Sequence, residues 1–159
     1  RIARQGVFLN ATLAGARVQI EMLEDKMETV GLTDEEEAQL DFTHSEHETR
    51  LEHFLRMREA GVVMVAGSDS AWGNYTMGNH QAEIETHVTG GMTTMEAIVA
   101  TTEDAARSCW IDDRVGTLKE GKVADILVVD GDPIARIEAL RDIADVYQGG
   151  EIVNRGDFV

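Results

Sequence analysis

Two short apolar runs, separated by a long polar stretch, most constrain the fold of this chain. The first is GVFLNATL at residues 6–13, and the second lies at residues 62–66 within GVVMVA. In both runs the apolar residues follow one another instead of alternating, as in parallel strands that are covered on both faces. Parallel strands need a long crossover, so the pattern predicts an α/β layered fold.

The polar stretch between the runs is predicted to be helical. One or two helices are expected between about residues 18 and 60, with a break near Gly31. Thr33 followed by Glu36 is a capping-box pattern, which marks the start of the second helix.

Three further helical segments follow the second strand. The first is predicted at residues 79–88, before a pair of glycines. Thr93 and Glu96 form another capping box that begins the second segment, and the third is expected at roughly residues 103–109. Strands that alternate with helices in this way support the α/β class.

Beyond these helices the sequence becomes rich in glycine turns and β-type residues. A strand is predicted at residues 123–129, and a hairpin is predicted from residues 144–147 and 151–154. We therefore predict two parts, residues 1–110 and residues 111–159.

The chain is strongly acidic. It has 14 Lys and Arg residues against 30 Asp and Glu residues, a net charge of -16. This charge argues against nucleic acid and anionic membranes as partners, because phosphate binding needs basic clusters. It is compatible with bound cations. No apolar run approaches the roughly 20 residues of a membrane span. Cys109 is the only cysteine, which fits a reducing, cytoplasmic compartment.

Asp69 stands where the second apolar run gives way to a polar loop, in the sequence VVMVAGSDSAWGN. Functional groups of α/β folds lie at the carboxyl ends of strands. A carboxylate there can bind a divalent cation or accept a proton from an activated water. An Asx-type turn explains the same position equally well, so both interpretations stay open.

Three residues that follow Asp69 in the sequence, Trp72, Tyr75 and His80, are candidates for substrate contact. Trp72 and Tyr75 flank a glycine in the loop, where they form either a substrate wall or a lid over the core. His80 either reaches the mouth of the site or belongs simply to the first turn of the next helix.

The other histidines and the cysteine carry weaker signals. His44 and His47 are three residues apart on a predicted helix, so they share a face and are candidate metal ligands. The glutamates around them favour a solvated, charged face instead. We expect His53 and His87 on helix surfaces, and Cys109 as a small buried hydrophobic residue.

Three motifs together resemble the C-terminal part of metal-dependent amidohydrolases, with the imidazolonepropionase-like and prolidase-like branch the most similar. One is AGVVMVAGSDS, a strand ending in Gly-Ser-Asp where many relatives have Gly-Thr-Asp. Another is the helix start GMTTMEAI, and the most specific is VGTLKEGKVADILVVDGDP at residues 115–133. The likeness runs from about residue 6 to about residue 153.

The resemblance implies a TIM-like (β/α)8 barrel with a small β-sandwich built from both ends of the chain. On this basis residues 7–13 resemble the seventh barrel strand, residues 62–66 the eighth, and residues 111–159 the returning strands of the sandwich. A complete barrel needs roughly 250 residues. We therefore expect a fragment that holds the last strands and helices of a barrel.

The resemblance also implies hydrolysis of amide and peptide-like C–N bonds with one or two divalent metal ions, with zinc the expected metal. It makes Asp69 the last-strand aspartate, which binds metal and takes a proton from the attacking water. The family's His-x-His pair, its bridging Lys or Glu and its two further histidines lie on earlier strands and have no counterpart here. The chain also departs from the family at Ala11, where Pro is frequent, and at His80, where Asn is common.

These observations give three hypotheses. In the first, the chain is part of an amidohydrolase that acts on small-molecule or dipeptide-like substrates. This part is expected to be inactive alone and to need the missing N-terminal barrel portion or to self-associate, because a cut barrel exposes strand edges. The second is a non-catalytic assembly module of the same fold, in which Asp69 only forms a turn. The third is an independent metal protein that uses His44 and His47.

Overall fold

The computed structural model describes residues 1–70, 75–154 and 156. Helices and two parallel strands come first, and an antiparallel sheet follows, which confirms the predicted α/β class. In chain order the elements are α1 Ile2–Gln5, β1 Phe8–Asn10, α2 Ala14–Thr29, α3 Asp34–Glu59, β2 Val63–Val65, α4 His80–Thr89, α5 Thr94–Thr101, α6 Glu103–Ser108, β3 Ile126–Val129, a 3₁₀ helix Ile137–Arg141, β4 Ile143–Gln148 and β5 Glu151–Ile152.

The strands β1 and β2 pair in parallel, with Phe8 beside Val63 and Asn10 beside Val65. Each strand lies inside the apolar run that predicts it, and each is shorter than that run. Because the strands are parallel, their carboxyl ends open at the same edge of the sheet. This edge positions the candidate site.

The helices α2 and α3 form a hairpin that is inserted between β1 and β2. The predicted break near Gly31 and the predicted capping box are both confirmed. The Glu36 amide donates to the Thr33 hydroxyl at 3.3 Å, and the Thr33 amide donates to the Glu36 carboxylate at 3.0 Å. A small apolar cluster holds the two helices together: Ile20, Leu23 and Leu40, with Leu32 packed against them.

Residues 82–87 of helix α4 are all buried although the sequence of the helix, HQAEIETHVT, is polar. The carboxylate of Glu85 is only 5% exposed, and it accepts hydrogen bonds from Arg141 at 2.5 and 3.0 Å. It also forms an ion pair with Arg17 at 2.9 Å. Burial by itself opposes ionisation, but the bonds from Arg141 and the charge of Arg17 outweigh it and lower the pKa of Glu85. The buried charge therefore joins α2, α4 and the 3₁₀ helix.

The C-terminal strands form a three-stranded antiparallel sheet in the order β3–β4–β5. The predicted hairpin is confirmed, with Gln148 beside Glu151. Lys122, which lies in the most specific sequence motif, donates from Nζ to the Asp112 carbonyl and to the Thr117 hydroxyl, both at 2.6 Å. These bonds close the loop before the sheet. The division at residue 110 and the membership of this sheet in a β-sandwich stay predictions.

The main core lies between the parallel strands, α3, α4 and α5. Its buried members are Leu13, Phe54, Val62, Met64, Ile84, Met92, Ala97, Ala100 and Ile137. Within the described part of the chain, none of the helices combines the length and the apolar character that a membrane crossing requires.

Two expectations about individual side chains are wrong. His87 is not on a helix surface: it is fully buried, and its ring packs against the ring of Phe54 with centroids 4.8 Å apart. Cys109 is exposed and not buried, because α6 ends at Ser108 and Cys109 serves as its C-cap at the surface. His53 is exposed, as predicted.

Candidate active site

Two residues with left-handed backbone mark the edge where the parallel strands end. Thr12 follows β1 with φ 44°, and Asp69 follows β2 with φ 48°. Positive φ is uncommon for residues other than glycine, and it is rarest for β-branched side chains such as threonine. Such conformations cluster at functional sites, where the surrounding structure holds them in place.

The Gly-Ser-Asp motif brings the two strand ends into close contact. A Cβ atom at Gly67 would collide with the side-chain amide of Asn10 at the end of β1. The Asn10 side chain would have to move to admit a larger residue at this position. Ser68 accepts a hydrogen bond from the Ser70 amide at 3.4 Å, and Asp69 between them is exposed. Ala71, whose amide an Asx turn at Asp69 would use, lies outside the described residues.

A cavity of about 440 Å³ opens at these strand ends. We call it the strand-end cavity. Thr12 and Asp69, which follow the two strands, line the part of it that we call its floor, and side chains of α2 and of one face of α3 line the rest. Its volume falls in the range of small-molecule sites, about 300–1,000 Å³. The lining residues are Thr12, Gly15, Ala16, Gln19, Gln39, Phe42, Thr43, Glu46, Arg50, Ser68, Asp69 and Tyr75.

Tyr75 lines the strand-end cavity together with Asp69, and it also packs in a buried cluster with Ala14 and Ala82, so its role in substrate contact stays a prediction. It is 2% exposed, and its hydroxyl donates to the Asn79 carbonyl at 3.0 Å. Burial, followed by the nearby charge of Glu83, raises the pKa of Tyr75 to about 12. The phenol is therefore neutral at ordinary pH and acts as a packed wall.

One cationic side chain lies among the described residues that line the strand-end cavity. Arg50 on α3 donates from Nη2 to Glu46, one turn earlier, at 3.1 Å. Both side chains are nearly half exposed, at 47% and 44%. Sequence reasoning overlooked this pair, because the i, i+4 spacing of Glu46 and Arg50 is also that of any solvated helix surface.

A buried carboxylate fixes the segment directly after Thr12 in the floor of the cavity. Glu83 on α4 is fully buried, and it accepts hydrogen bonds from the amides of Leu13 at 2.9 Å and Ala14 at 2.7 Å. These are orphan amides at the start of α2, directly after Thr12. The His87 ring also contacts Glu83, with Nε2 at 3.1 Å from Oε1. Glu83 was likewise overlooked, because its partners lie about seventy positions away along the chain.

The two remaining substrate candidates are not placed in this cavity. Trp72 lies outside the described residues. His80 lines a second cavity of about 940 Å³, which we call the apolar cleft; it lies between α4–α6 and β3, and Ile98 and Leu127 are among its walls. The His80 ring is bonded to the Thr101 hydroxyl at 2.6 Å, and burial lowers the pKa of His80. The substrate role of His80 stays a prediction.

Metal ligands are sparse in the described part of the chain. No three His, Cys, Asp or Glu side chains there lie close enough together to hold a metal ion. His44 is bonded to Glu24 at 3.2 Å, so the two-histidine hypothesis gains no third ligand. Asp69 offers one exposed carboxylate of suitable chemistry. Among the described residues at the strand ends, Asp69 is therefore the candidate metal ligand.

The profile of the amidohydrolase family matches residues 1–153. The chain belongs to this family. The match confirms the resemblance that the sequence motifs indicate. It extends over both predicted parts of the chain, residues 1–110 and most of residues 111–159.

Individual relatives agree with this assignment. The ochratoxinase of Aspergillus niger is 33% identical over 98 residues, which are 59% of this chain and 20% of that protein. The imidazolonepropionase of Thermoplasma volcanium is 31% identical over 101 residues, which are 60% of this chain and 24% of that protein. A solved Xaa-Pro dipeptidase with bound methionine superposes with a TM-score of 0.74 at 24% identity, over 96% of this chain and 36% of that one. The chain thus spans about a third of the solved relative.

Proposed function

We propose that these 159 residues form the C-terminal portion of a metal-dependent amidohydrolase that hydrolyses amide or peptide-like C–N bonds. In this proposal β1 and β2 are the last two strands of a TIM-like barrel, and β3–β5 are returning strands of a β-sandwich. Family membership and the superposition on the dipeptidase fold support it. The observation that carries it is the position of Asp69 at the end of β2, in the floor of the strand-end cavity.

Asp69 has two roles in the proposed reaction. Its carboxylate provides one ligand for a divalent metal ion, with zinc the expected metal and one or two ions per site. A metal ion held there would supply Lewis-acid activation of the water that attacks the amide carbon. Asp69 accepts the proton of that water and passes it to the leaving amine. Asp69 holds this position with a left-handed backbone, φ 48°.

The rest of the cavity serves to hold the substrate. Tyr75 forms a neutral part of the lining, and Thr12 and α2 contribute a part that Glu83 fixes through the amides of Leu13 and Ala14. The cavity volume of about 440 Å³ suits a small molecule or a dipeptide. The related dipeptidase holds methionine in its active site, which supports an amino-acid-like substrate here. Trp72 and His80 are secondary candidates for substrate contact.

Substitution of Asp69 tests this function in a protein that contains these residues together with a complete barrel. Asp69→Asn keeps the shape but removes the base, so we expect hydrolysis of dipeptides to fall by about 10²-fold or more. Asp41→Asn, on the exposed side of α3, is the matched control and keeps full activity. Full activity of Asp69→Asn would refute the proposed role.

The isolated chain gives a second test. Catalytic zinc sites use about three protein ligands, and the described residues bring no such group together. We therefore expect the pure, zinc-loaded 159-residue chain to show no turnover of dipeptides in a coupled amino-acid assay. Measurable turnover that survives repeated purification would contradict this expectation.

A non-catalytic assembly module is the second candidate function. The apolar cleft and the exposed side chains around it favour it, since Leu118 is 81% exposed and Leu127 is 46% exposed. Large exposed apolar patches are typical of protein–protein contacts. In this case Asp69→Asn would have no effect on any activity, while substitutions in the cleft would change assembly.

A further inference from the structure

We infer that Arg50 is an anion-binding residue of the strand-end cavity, and that the substrate is an amide bearing a free carboxylate, such as an N-acyl amino acid or a dipeptide. The inference deepens the proposed function and rests on it. It concerns a side chain on the α2–α3 hairpin, which no motif of the sequence singles out.

The charges of the cavity support the inference. Among the described residues that line it, Asp69 and Glu46 are anionic and Arg50 is cationic. Under the proposed function Asp69 faces a divalent cation. The wall on α3 then offers one positive group, and a substrate carboxylate is the chemical partner that a guanidinium recognises best.

The pairing of Arg50 with Glu46 leaves capacity for a second anion. A guanidinium has five N–H donors in a planar fork, and Glu46 occupies one of them at 3.1 Å. The pair is nearly half exposed on both sides, and exposed i, i+4 pairs are weak. Glu46 therefore orients Arg50 along the cavity wall without saturating it.

The face of α3 that bears Arg50 also provides an apolar contact. Gln39, Phe42, Thr43, Glu46 and Arg50 recur at helical spacing and all line the cavity. The Phe42 side chain is 67% exposed there, which is unusual for a large aromatic residue. Phe42 and Arg50 thus offer an apolar surface and a cation to one small ligand that bears both kinds of group.

The overall charge of the chain makes a local cation necessary. A net charge of -16 repels a carboxylate at long range. Salt screens this repulsion beyond roughly 10 Å at about 0.1 M ionic strength, whereas a direct guanidinium–carboxylate contact persists. A direct contact with the Arg50 guanidinium therefore favours an acidic ligand over a neutral one in this cavity.

The test compares N-acetyl-L-leucine with its uncharged carboxamide, N-acetyl-L-leucinamide, as ligands of the 159-residue chain. Binding is followed by NMR titration, with the Arg Nε–H signals as reporters. We expect the ratio of acid to amide affinity to fall by about tenfold in Arg50→Gln, since a charged hydrogen bond is lost. Arg50→Lys keeps the charge but not the fork, so it retains part of the preference.

Two further variants sharpen the comparison. Arg56→Gln removes the same charge from the exposed side of the same helix and is expected to leave the ratio unchanged. Glu46→Gln removes the competing carboxylate and is expected to raise the affinity for the acid. Equal ratios in Arg50→Gln and Arg56→Gln, or binding of neither ligand, would overturn the inference.

The failure of this inference is distinct from that of the proposed function. If a protein with the complete barrel hydrolyses both compounds with equal efficiency, the function holds and the role of Arg50 is wrong. If no hydrolysis occurs but Arg50 still governs the acid preference in the titration, the anion site stands and the hydrolase proposal is wrong.

Discussion

The carboxylate of Glu83 on α4 accepts a hydrogen bond from the backbone amide of Leu13, 70 positions earlier, at 2.9 Å. A second bond from Ala14 follows at 2.7 Å, and both side-chain oxygens are buried. One side chain thus caps α2 and fixes the loop that forms the floor of the strand-end cavity. The stability of the chain and the geometry of the candidate site depend on the same group.

We expect Glu83→Gln to lower the free energy of unfolding by about 2–4 kcal/mol, because an amide replaces one of two acceptor oxygens and a buried donor is left unpaired. Urea unfolding followed by circular dichroism measures the change. Glu52→Gln, an exposed residue of α3, is the control and should change stability by less than about 0.5 kcal/mol. Equal effects of the two substitutions would contradict a structural role for Glu83.

A steric contact between α4 and α3 gives a second prediction. A Cβ atom at Gly90 would lie 2.7 Å from Cδ1 of Phe54, whose ring is fully buried. We expect Gly90→Ala to destabilise the chain by about 1–3 kcal/mol, because the ring cannot move without disturbing the core. Gly15→Ala is the control: its Cβ meets nothing within 4 Å, and alanine favours the helix by about 1 kcal/mol. We therefore expect Gly90→Ala to lower the midpoint temperature of thermal unfolding and Gly15→Ala to raise it.

The capping box of α5 gives a pH prediction. The backbone amide of Thr93, together with the Arg58 guanidinium and the Thr93 hydroxyl, lowers the pKa of Glu96 to about 2. Because this pKa is lower in the folded state, the ionised carboxylate stabilises the fold at pH values above the unfolded pKa of 4.5. This stabilisation is lost as the pH falls towards 2. We expect an NMR titration of the Glu96 carboxyl carbon to show a midpoint of about 2. Arg58→Gln should move it upward, and an unchanged midpoint would show that the 2.6 Å ion pair does not persist in solution.

Self-association is the fourth prediction. Leu118 is 81% exposed and borders the apolar cleft, so burial against a second copy is favourable. We expect the sedimentation coefficient to rise with protein concentration, and Leu118→Lys to reduce this rise. Val30→Lys is the control, since Val30 is 83% exposed but lies away from the cleft at the end of α2. A monomer at all concentrations would count against this surface as an interface.

Local signals in the sequence predict most of the elements. The capping boxes at Thr33 and Thr93 and the glycines between β4 and β5 specify their structures through neighbouring residues alone, and all three are confirmed. Their hydrogen bonds join positions a few residues apart, so a local pattern contains all the information needed.

The candidate site is only partly predictable for the opposite reason. Asp69 is placed correctly at a strand end because the Gly-Ser-Asp motif follows an apolar run. His87 is predicted on a helix surface, yet its buried ring packs against Phe54, which is distant in sequence. The same applies to Arg50, whose position in the cavity depends on how the helical hairpin folds back over the strands.

The insertion of the α2–α3 hairpin between β1 and β2 also has a kinetic consequence. The ladder that joins Phe8 to Val63 forms only when the chain has closed over the whole hairpin, which is an entropically costly loop. Contacts between α2 and α3 are local and form early, so they compact the loop before the strands meet. We expect docking of β1 on β2 to limit the refolding rate, and substitution of Leu23 in the hairpin to slow refolding more than it speeds unfolding.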